Sequence, residues 1–313
     1  MTDERVLARR GNGLEYAIYR AATGGFAALP RPTAIRAGAA LGSLIAHLLR
    51  PQRAVALFNL ALAFPEKSDA ERADILRRSC RNLGRMGAEF CHLPSLTRET
   101  VGRYVGFEDR TAWERAMAAA QERGAVILTG HFGNWELFAY AQALLGRPIT
   151  LVHRPMNNPL VDDAIVRMRT RAGTRSLAKK AAAREVIRAL HEHQMIAIPA
   201  DQNQTRRYGV FVDFFGRPAC TTPGPARLAM LARAPVFPAF LVREGESERH
   251  RIVILPEVEM QRSGKREADI VANTQRCTAV VEEMIRRHPD HWIWFHRRWK
   301  TRPEGEPRLY PRR

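Results

Sequence analysis

The stretch that most restricts what this chain can fold into is residues 125–137. Ala125, Val126, Ile127 and Leu128 form an apolar run closed by Thr129 and Gly130, which reads as a buried strand. Asn134 is placed to cap a helix over Trp135–Leu145, because a side-chain oxygen there accepts a free amide hydrogen of the first turn. Between strand and helix lie His131 and Glu136, five residues apart. The turn after a strand's carboxyl end is where open α/β sheets build ligand sites. His131 is therefore a candidate general base, and Glu136 the carboxylate that orients it. On one unbroken helix this spacing would put the two on different faces, since neighbours on a face are three or four apart. The pairing requires His131 in the turn and Glu136 in the first helical turn, a path that Gly130 and Gly133 permit. A solvated loop histidine is the plain alternative.

The rest of the chain falls into two regions. Residues 1–12 are polar and expected to be loose, followed by helices over Leu14–Leu29 and Thr33–Leu49, broken at Pro30-Arg31-Pro32. A further helix is expected over Arg53–Phe64, and Ser68 with Glu71 offers a capping box opening a helix to about His92. From 124 strands and helices alternate. Strands are expected at Ala125–Thr129, Ile149–His153, Met195–Ala200, Val236–Val242 and Arg251–Leu255, with helices near 135–145, 159–172, 180–193, 224–233 and 267–288. That alternation predicts an α/β fold, a mixed, largely parallel sheet covered by helices. The expected division is a helical region over 1–105 and an α/β domain over 106–313. The longest charge-free apolar stretch near the start, Ala37 to Leu49, is short of the ~20 residues a membrane span needs. The N-terminal helices are then either an ordinary subdomain packed on the core or an anchor at a membrane surface.

Charge narrows the partners. With 50 Lys+Arg against 32 Asp+Glu in 313 residues, the formal net charge is +18, which suits nucleic acid, a membrane surface or an acidic protein. The four cysteines, at 80, 91, 220 and 277, have no C-x-x-C spacing; they predict reduced thiols in a cytosolic setting, with no disulfide framework or zinc site, and no metal or cofactor is expected elsewhere. The sequence holds no H-E-x-x-H, G-x-S-x-G, P-loop or G-x-G-x-x-G.

Several further residues sit where chemistry is built. Arg154 follows the strand ending at His153, and Arg167, Arg169 and Arg171 follow on the next helix. They form either a solvated basic face or a phosphate site suited to arginine's forked donors. Asp201 closes the strand that begins at Met195, as a turn former or as a site carboxylate. Residues 292–300 interleave tryptophans with His296, Arg297, Arg298 and Lys300. Such a pattern fits nucleic acid or a membrane interface, but no nucleic-acid motif accompanies the charge, so no nucleic-acid partner is expected.

Gly130-His131-Phe132-Gly133-Asn134-Trp135-Glu136 resembles the His-x4-acid motif of the lipid A biosynthesis acyltransferases, the late lauroyl- and myristoyl-transferring enzymes of the lysophospholipid acyltransferase superfamily. Other blocks agree in the same order: Arg154-Pro155-x-Asn157-Asn158-Pro159, Phe214-Phe215-Gly216 through Thr221 to Ala226, and Arg297-Arg298-Trp299-Lys300-Thr301-Arg302-Pro303. The resemblance covers roughly residues 33–309. It implies a glycerolipid-acyltransferase-like fold with an N-terminal helical membrane-associating region, at the cytoplasmic face of the bacterial inner membrane. It implies acyl transfer from acyl carrier protein, or from acyl-CoA, to a hydroxyl of an anionic lipid A precursor. His131 would be the base and Glu136 its orienting partner. Arg154, Arg169, Asp201, Phe215, Arg217 and Thr221 would bind substrate, Asp201 as an orienting or salt-bridging group. Phe211, Phe214 and Phe215 would form an acyl-chain wall, and the helix after Thr221 would aim its N-terminus at phosphate. An acyltransferase for another membrane lipid would carry the same motif. A non-catalytic basic peripheral membrane protein would explain the charge and the N-terminus, but not His131 with Glu136.

Overall fold

The computed structural model describes residues 3–178 and 182–311 of the chain. Four helices come first: α1 (Asp3–Ala28), α2 (Arg31–Leu48), α3 (Arg50–Ala63) and α4 (Asp69–Cys91). The break at Pro30-Arg31-Pro32 lies where expected, and the Ser68/Glu71 capping box that opens α4 is complete. Residues 3–12, expected to be loose, belong to α1. The Asn158 side chain donates to the Asn12 carbonyl (2.8 Å) and to Glu15 (2.9 Å), which docks this half of the helix onto the body of the protein. Met1 and Thr2 lie outside the described residues.

The α/β part runs β1 (Val105–Phe107), α5 (Arg110–Arg123), β2 (Ala125–Thr129), α6 (Trp135–Leu144), β3 (Ile149–His153), α7 (Pro159–Thr170), β4 (Arg175–Ala178), α8 (Ala182–His191), β5 (Met195–Pro199), β6 (Val210–Phe214), β7 (Arg217–Thr221), α9 (Gly224–Ala232), β8 (Val236–Arg243), β9 (His250–Ile254) and α10 (Arg266–Arg287). The helix expected from 180 is described from Ala182; residues 180 and 181 lie outside the described residues. Seven strands form one sheet in the order β1-β9-β8-β2-β5-β3-β4. All its pairings are parallel except β8 with β9, so the sheet is mixed and largely parallel, as expected. β6 and β7 make a separate antiparallel hairpin.

Alternation along the strands explains the two layers. Val126 and Leu128 face one core with α3, α4, α8, α10 and the C-terminal tryptophans. Ala125 and Ile127 face the other, with α5 and α6. Successive side chains of a strand point to opposite faces, so a central strand buried on both sides is apolar in succession, as β2 is from Ala125 to Leu128. The N-terminal helices share the first of these cores, through Leu60, Phe64 and Leu76 packed with Trp292 and Trp294. α2 and α4 cross so closely that a Cβ on Gly38 would lie 2.4 Å from the Gly84 carbonyl oxygen. Among the described residues no single helix is long and apolar enough to cross a membrane; α2 and α3 reach that composition only together, and they meet at a 95° bend.

Candidate active site

Strand register builds the site. β2 and β5 are parallel neighbours with Thr129 opposite Pro199. Two residues beyond each partner, His131 and Asp201 leave the sheet side by side at its carboxyl edge. Gly130 makes the approach possible, since a Cβ there would sit 3.2 Å from Asp201 Cγ. Asp201 is buried and accepts three hydrogen bonds. Its Oδ2 takes the His131 backbone N–H (2.8 Å) and the Trp292 indole N–H (2.8 Å), and its Oδ1 faces His131 Nδ1 at 3.0 Å. Accepting from Nδ1–H, this carboxylate leaves Nε2 with its lone pair. The Gln202 amide nitrogen lies 3.3 Å from that Nε2, on the open side of the ring.

The electrostatics follow from this geometry. Burial would lower the His131 pKa, but the Asp201 charge and hydrogen bond, aided by Glu136, offset it and hold the ring above its ordinary value. Burial would likewise raise the Asp201 pKa, but His131 and the Trp292 and backbone donors hold it far below the usual carboxylate range. His296 accepts the Asn203 backbone N–H at Nε2 (2.8 Å). Burial, reinforced by the nearby Arg298 and His131 charges, pushes its pKa down to about 4 against the pull of Asp201.

The loop between β2 and α6 is pinned from behind. Gly133 has φ of +59°, and a Cβ there would lie 1.8 Å from the Leu241 carbonyl oxygen; only glycine fits. Its N–H donates to the His291 carbonyl (2.8 Å), and Phe132 bridges to Trp292. Asn134 caps α6 by accepting from Leu137 N–H (2.9 Å), as expected, and donates to Glu89 Oε2 (2.8 Å). Glu89 is wholly buried and also pairs with Arg243 (2.5 Å), with Arg31 and His250 at 3.7 and 3.5 Å. This charged knot ties α2 and α4 to β8, β9 and the cap of α6.

The residues expected to form the site divide. Glu136 lies in the first turn of α6, as the pairing required, but its carboxylate holds Arg169 through a two-pronged contact to Nε (2.8 Å) and Nη2 (2.5 Å), and accepts from the Trp135 indole (3.1 Å). The contact that orients the His131 ring is made by Asp201, not by Glu136. The reason is topological: adjacent parallel strands bring their ends together, whereas the start of α6 points its first turn towards α7. Arg154 lies exposed beyond β3, level in register with Ala200. Of the expected acyl-chain wall, Phe211 is half-buried on β6, whereas Phe214 and Phe215 belong to the core. Phe214 packs on Trp292 and Trp299, and Phe215 on Phe64. Thr221 has no exposed surface and accepts from the buried Arg298, and Arg217 is exposed on the hairpin. Among the described residues none of Phe215, Arg217 and Thr221 hydrogen-bonds His131. Sequence reasoning assigns no role to Gln202, Trp292 or Glu89; the aromatic run at 292–299 marks Trp292 as apolar without saying what covers it.

A histidine held by a buried carboxylate at the carboxyl edge of a largely parallel sheet is the arrangement in which α/β enzymes place a general base. The profile described as bacterial lipid A biosynthesis acyltransferase matches residues 11–301. The chain belongs to that family, and it is an acyltransferase. It is 28% identical to the lipid A biosynthesis palmitoleoyltransferase of Escherichia coli (strain K12), over 90% of both chains. It is 29% identical to the lipid A biosynthesis lauroyltransferase of the same organism, over 90% of both. It is 30% identical to a lipid A biosynthesis acyltransferase of Haemophilus influenzae, over 90% of this chain and 89% of that one.

Proposed function

We propose that this enzyme moves a fatty acyl chain from an acyl thioester to a hydroxyl of a lipid A precursor, with His131 as general base. The observation that carries the reading is the His131–Asp201 pair, which leaves Nε2 as the acceptor of a proton beside the open face of the site. Nε2 takes the hydroxyl proton as the oxygen attacks the thioester carbonyl, and Asp201 stabilises the imidazolium that forms, as the acid of a catalytic triad does. Collapse of the tetrahedral intermediate breaks the carbon–sulfur bond, and the leaving thiolate takes the proton back from His131. A thiol pKa of about 8.5 makes it a good leaving group. Glu136 adds negative potential that favours the imidazolium and fixes Arg169 beside the site, where its outer face suits a substrate phosphate.

Acyl carrier protein is the proposed donor. A net charge of +18 would steer an acidic carrier to the enzyme. The enzyme would work at the cytoplasmic face of the inner membrane, resting on the exposed apolar residues Leu14, Ile18, Leu44 and Leu48 of α1 and α2. Relatives that act on lipid A by name support the acceptor.

The test is transfer in vitro, with labelled acyl carrier protein or acyl-CoA donors and a tetra-acylated lipid A precursor. Product from wild type and none from folded His131→Ala is the expected result. Product with acyl-CoA alone would overturn the donor, and activity in His131→Ala would overturn the mechanism.

A further inference from the structure

The function just proposed leaves two adjoining hollows unused. One, of about 580 Å³, lies between α1, α2 and α4 and is walled by apolar groups including Tyr19, Phe26, Leu41, Ile45 and Phe90. Its floor is the close α2–α4 crossing, where Gly42 and Gly84 keep the helices near enough that no larger side chain fills the space. The other, of about 320 Å³, is lined by Gln52, Phe295, His296, Arg297 and Lys300. Gln52 and Phe295 line both, so the two hollows adjoin at these side chains and together offer a groove apolar along its length and basic at one end.

The basic end adjoins the catalytic base. Asn203 holds His296 through its backbone N–H, while its neighbour Gln202 reaches His131 Nε2. With Nε2 accepting from Asn203, the neutral His296 carries its proton on Nδ1 as a further donor. Lys300 is exposed and makes no ion pair among the described residues. Leu41, Ile45 and Leu49 line the apolar end and are themselves exposed, so the groove opens onto the face that carries Leu44 and Leu48.

We infer that this groove takes one hydrocarbon chain of a phosphate-bearing membrane lipid, with the phosphate on Arg297, Lys300 and His296. The dry channel matches a chain, the cationic mouth matches a phosphate, and the exposed apolar rim gives a route from the bilayer. Bound this way, a lipid presents its headgroup to His131. Naming that lipid as the acceptor rests on the acyl-transfer reading; the binding itself does not.

The test is therefore binding by the whole protein without any acyl donor. Calorimetry would compare dioctanoyl phosphatidic acid, kept below its micelle concentration, with glycerol 3-phosphate as head alone and dioctanoylglycerol as chains alone. Phosphatidic acid should bind well above either fragment. Gly87 lines the groove, and nothing lies within 4 Å of a Cβ built on it. Gly87→Phe should therefore fill the channel while raising helix propensity. It should weaken phosphatidic acid binding at least about tenfold, the effect of losing two buried methylenes. Lys300→Gln should weaken it about tenfold, the low end for one charged hydrogen bond. Should Gly87→Phe melt below wild type, Leu41→Gln at the exposed rim makes the same test. Equal binding by wild type and the channel variant would overturn the inference. So would binding of glycerol 3-phosphate or dioctanoylglycerol as tight as that of phosphatidic acid. His131→Ala should bind like wild type while losing transfer, so failure of the groove and failure of the mechanism are distinguishable.

Discussion

Asp201→Asn tests the catalytic arrangement at its most specific point, because the hydrogen bonds leave the new amide only one orientation. Asp201 Oδ2 accepts from two N–H groups, the His131 backbone and the Trp292 indole, whereas Oδ1 meets only His131 Nδ1. The asparagine oxygen must take the doubly donated position, which turns its NH2 towards Nδ1. Nδ1 then becomes an acceptor and Nε2 carries the proton, so the ring can no longer receive one from a hydroxyl. The same tautomer reversal in a serine-protease triad lowers kcat about 10⁴-fold, or ~5.4 kcal/mol at 1.36 kcal/mol per tenfold. A loss of that order is expected here, with near-normal melting because all three contacts survive. The pH profile adds an independent reading. The base must be neutral to act, so wild-type activity should rise as pH climbs through a His131 pKa lying above the ordinary 6.5. In Asp201→Asn the carboxylate no longer opposes burial, and the limb of any residual activity should move to lower pH. Nitrogen-15 spectra of the imidazole report the tautomer directly. A variant with wild-type kcat, or one whose Nε2 remains unprotonated in the neutral ring, would refute the assignment of Asp201 as the orienting group.

Five further outcomes follow from the geometry and the charge. Glu136→Gln and Arg169→Gln should each reduce kcat/KM without changing the His131 tautomer. The double variant should lose little more than either, because both break one largely buried ion pair worth about 2 kcal/mol, less than the 3–5 of a fully buried one; additive losses would show that the two act separately. Glu89→Gln should destabilise the fold by about 3–5 kcal/mol in denaturant titration, since it leaves the buried Arg243 without its carboxylate. In the same knot, burial pushes the His250 pKa down to about 4 from an ordinary 6.5, opposed by Glu89. The unfolded chain therefore binds its proton first, and stability should decline as pH falls through that window; a flat profile would count against it. Gly133→Ala should yield little soluble protein or a melting loss of several kcal/mol, because its Cβ would overlap the Leu241 carbonyl; normal melting would mean that the loop lies elsewhere. Transfer from acyl carrier protein should slow steeply with added salt while transfer from a neutral thioester analogue does not, if charge steers the carrier.

Local chemistry alone determined much of this protein. The apolar run Ala125–Thr129 and the cap at Asn134 specify β2 and α6, because burial on both faces and a satisfied first turn depend on neighbours in the chain. The breaks at Pro30 and Pro32, the capping box at Ser68, and the place of His131 in a turn are legible for the same reason. β1 and β4, of three and four residues, were not, since so short a strand carries too few alternations to signal itself and exists only because an edge is there to pair with. The site's second half was legible only in part: Asp201 reads as an orienting or salt-bridging carboxylate at a strand end, but nothing local pairs it with His131. Asp201 and His131 stand 70 residues apart in the chain, and only the β2–β5 register sets them side by side. The spacing His131-x4-Glu136 suggested a local partner, whereas the fold supplies a distant one and gives Glu136 to Arg169. The phenylalanines at 211–215 and the tryptophans at 292–299 look alike as sequence, greasy and able to face either lipid or core. Hydrophobicity is non-directional, so what covers an apolar side chain is decided by packing, and here Phe214, Trp292 and Trp299 cover one another.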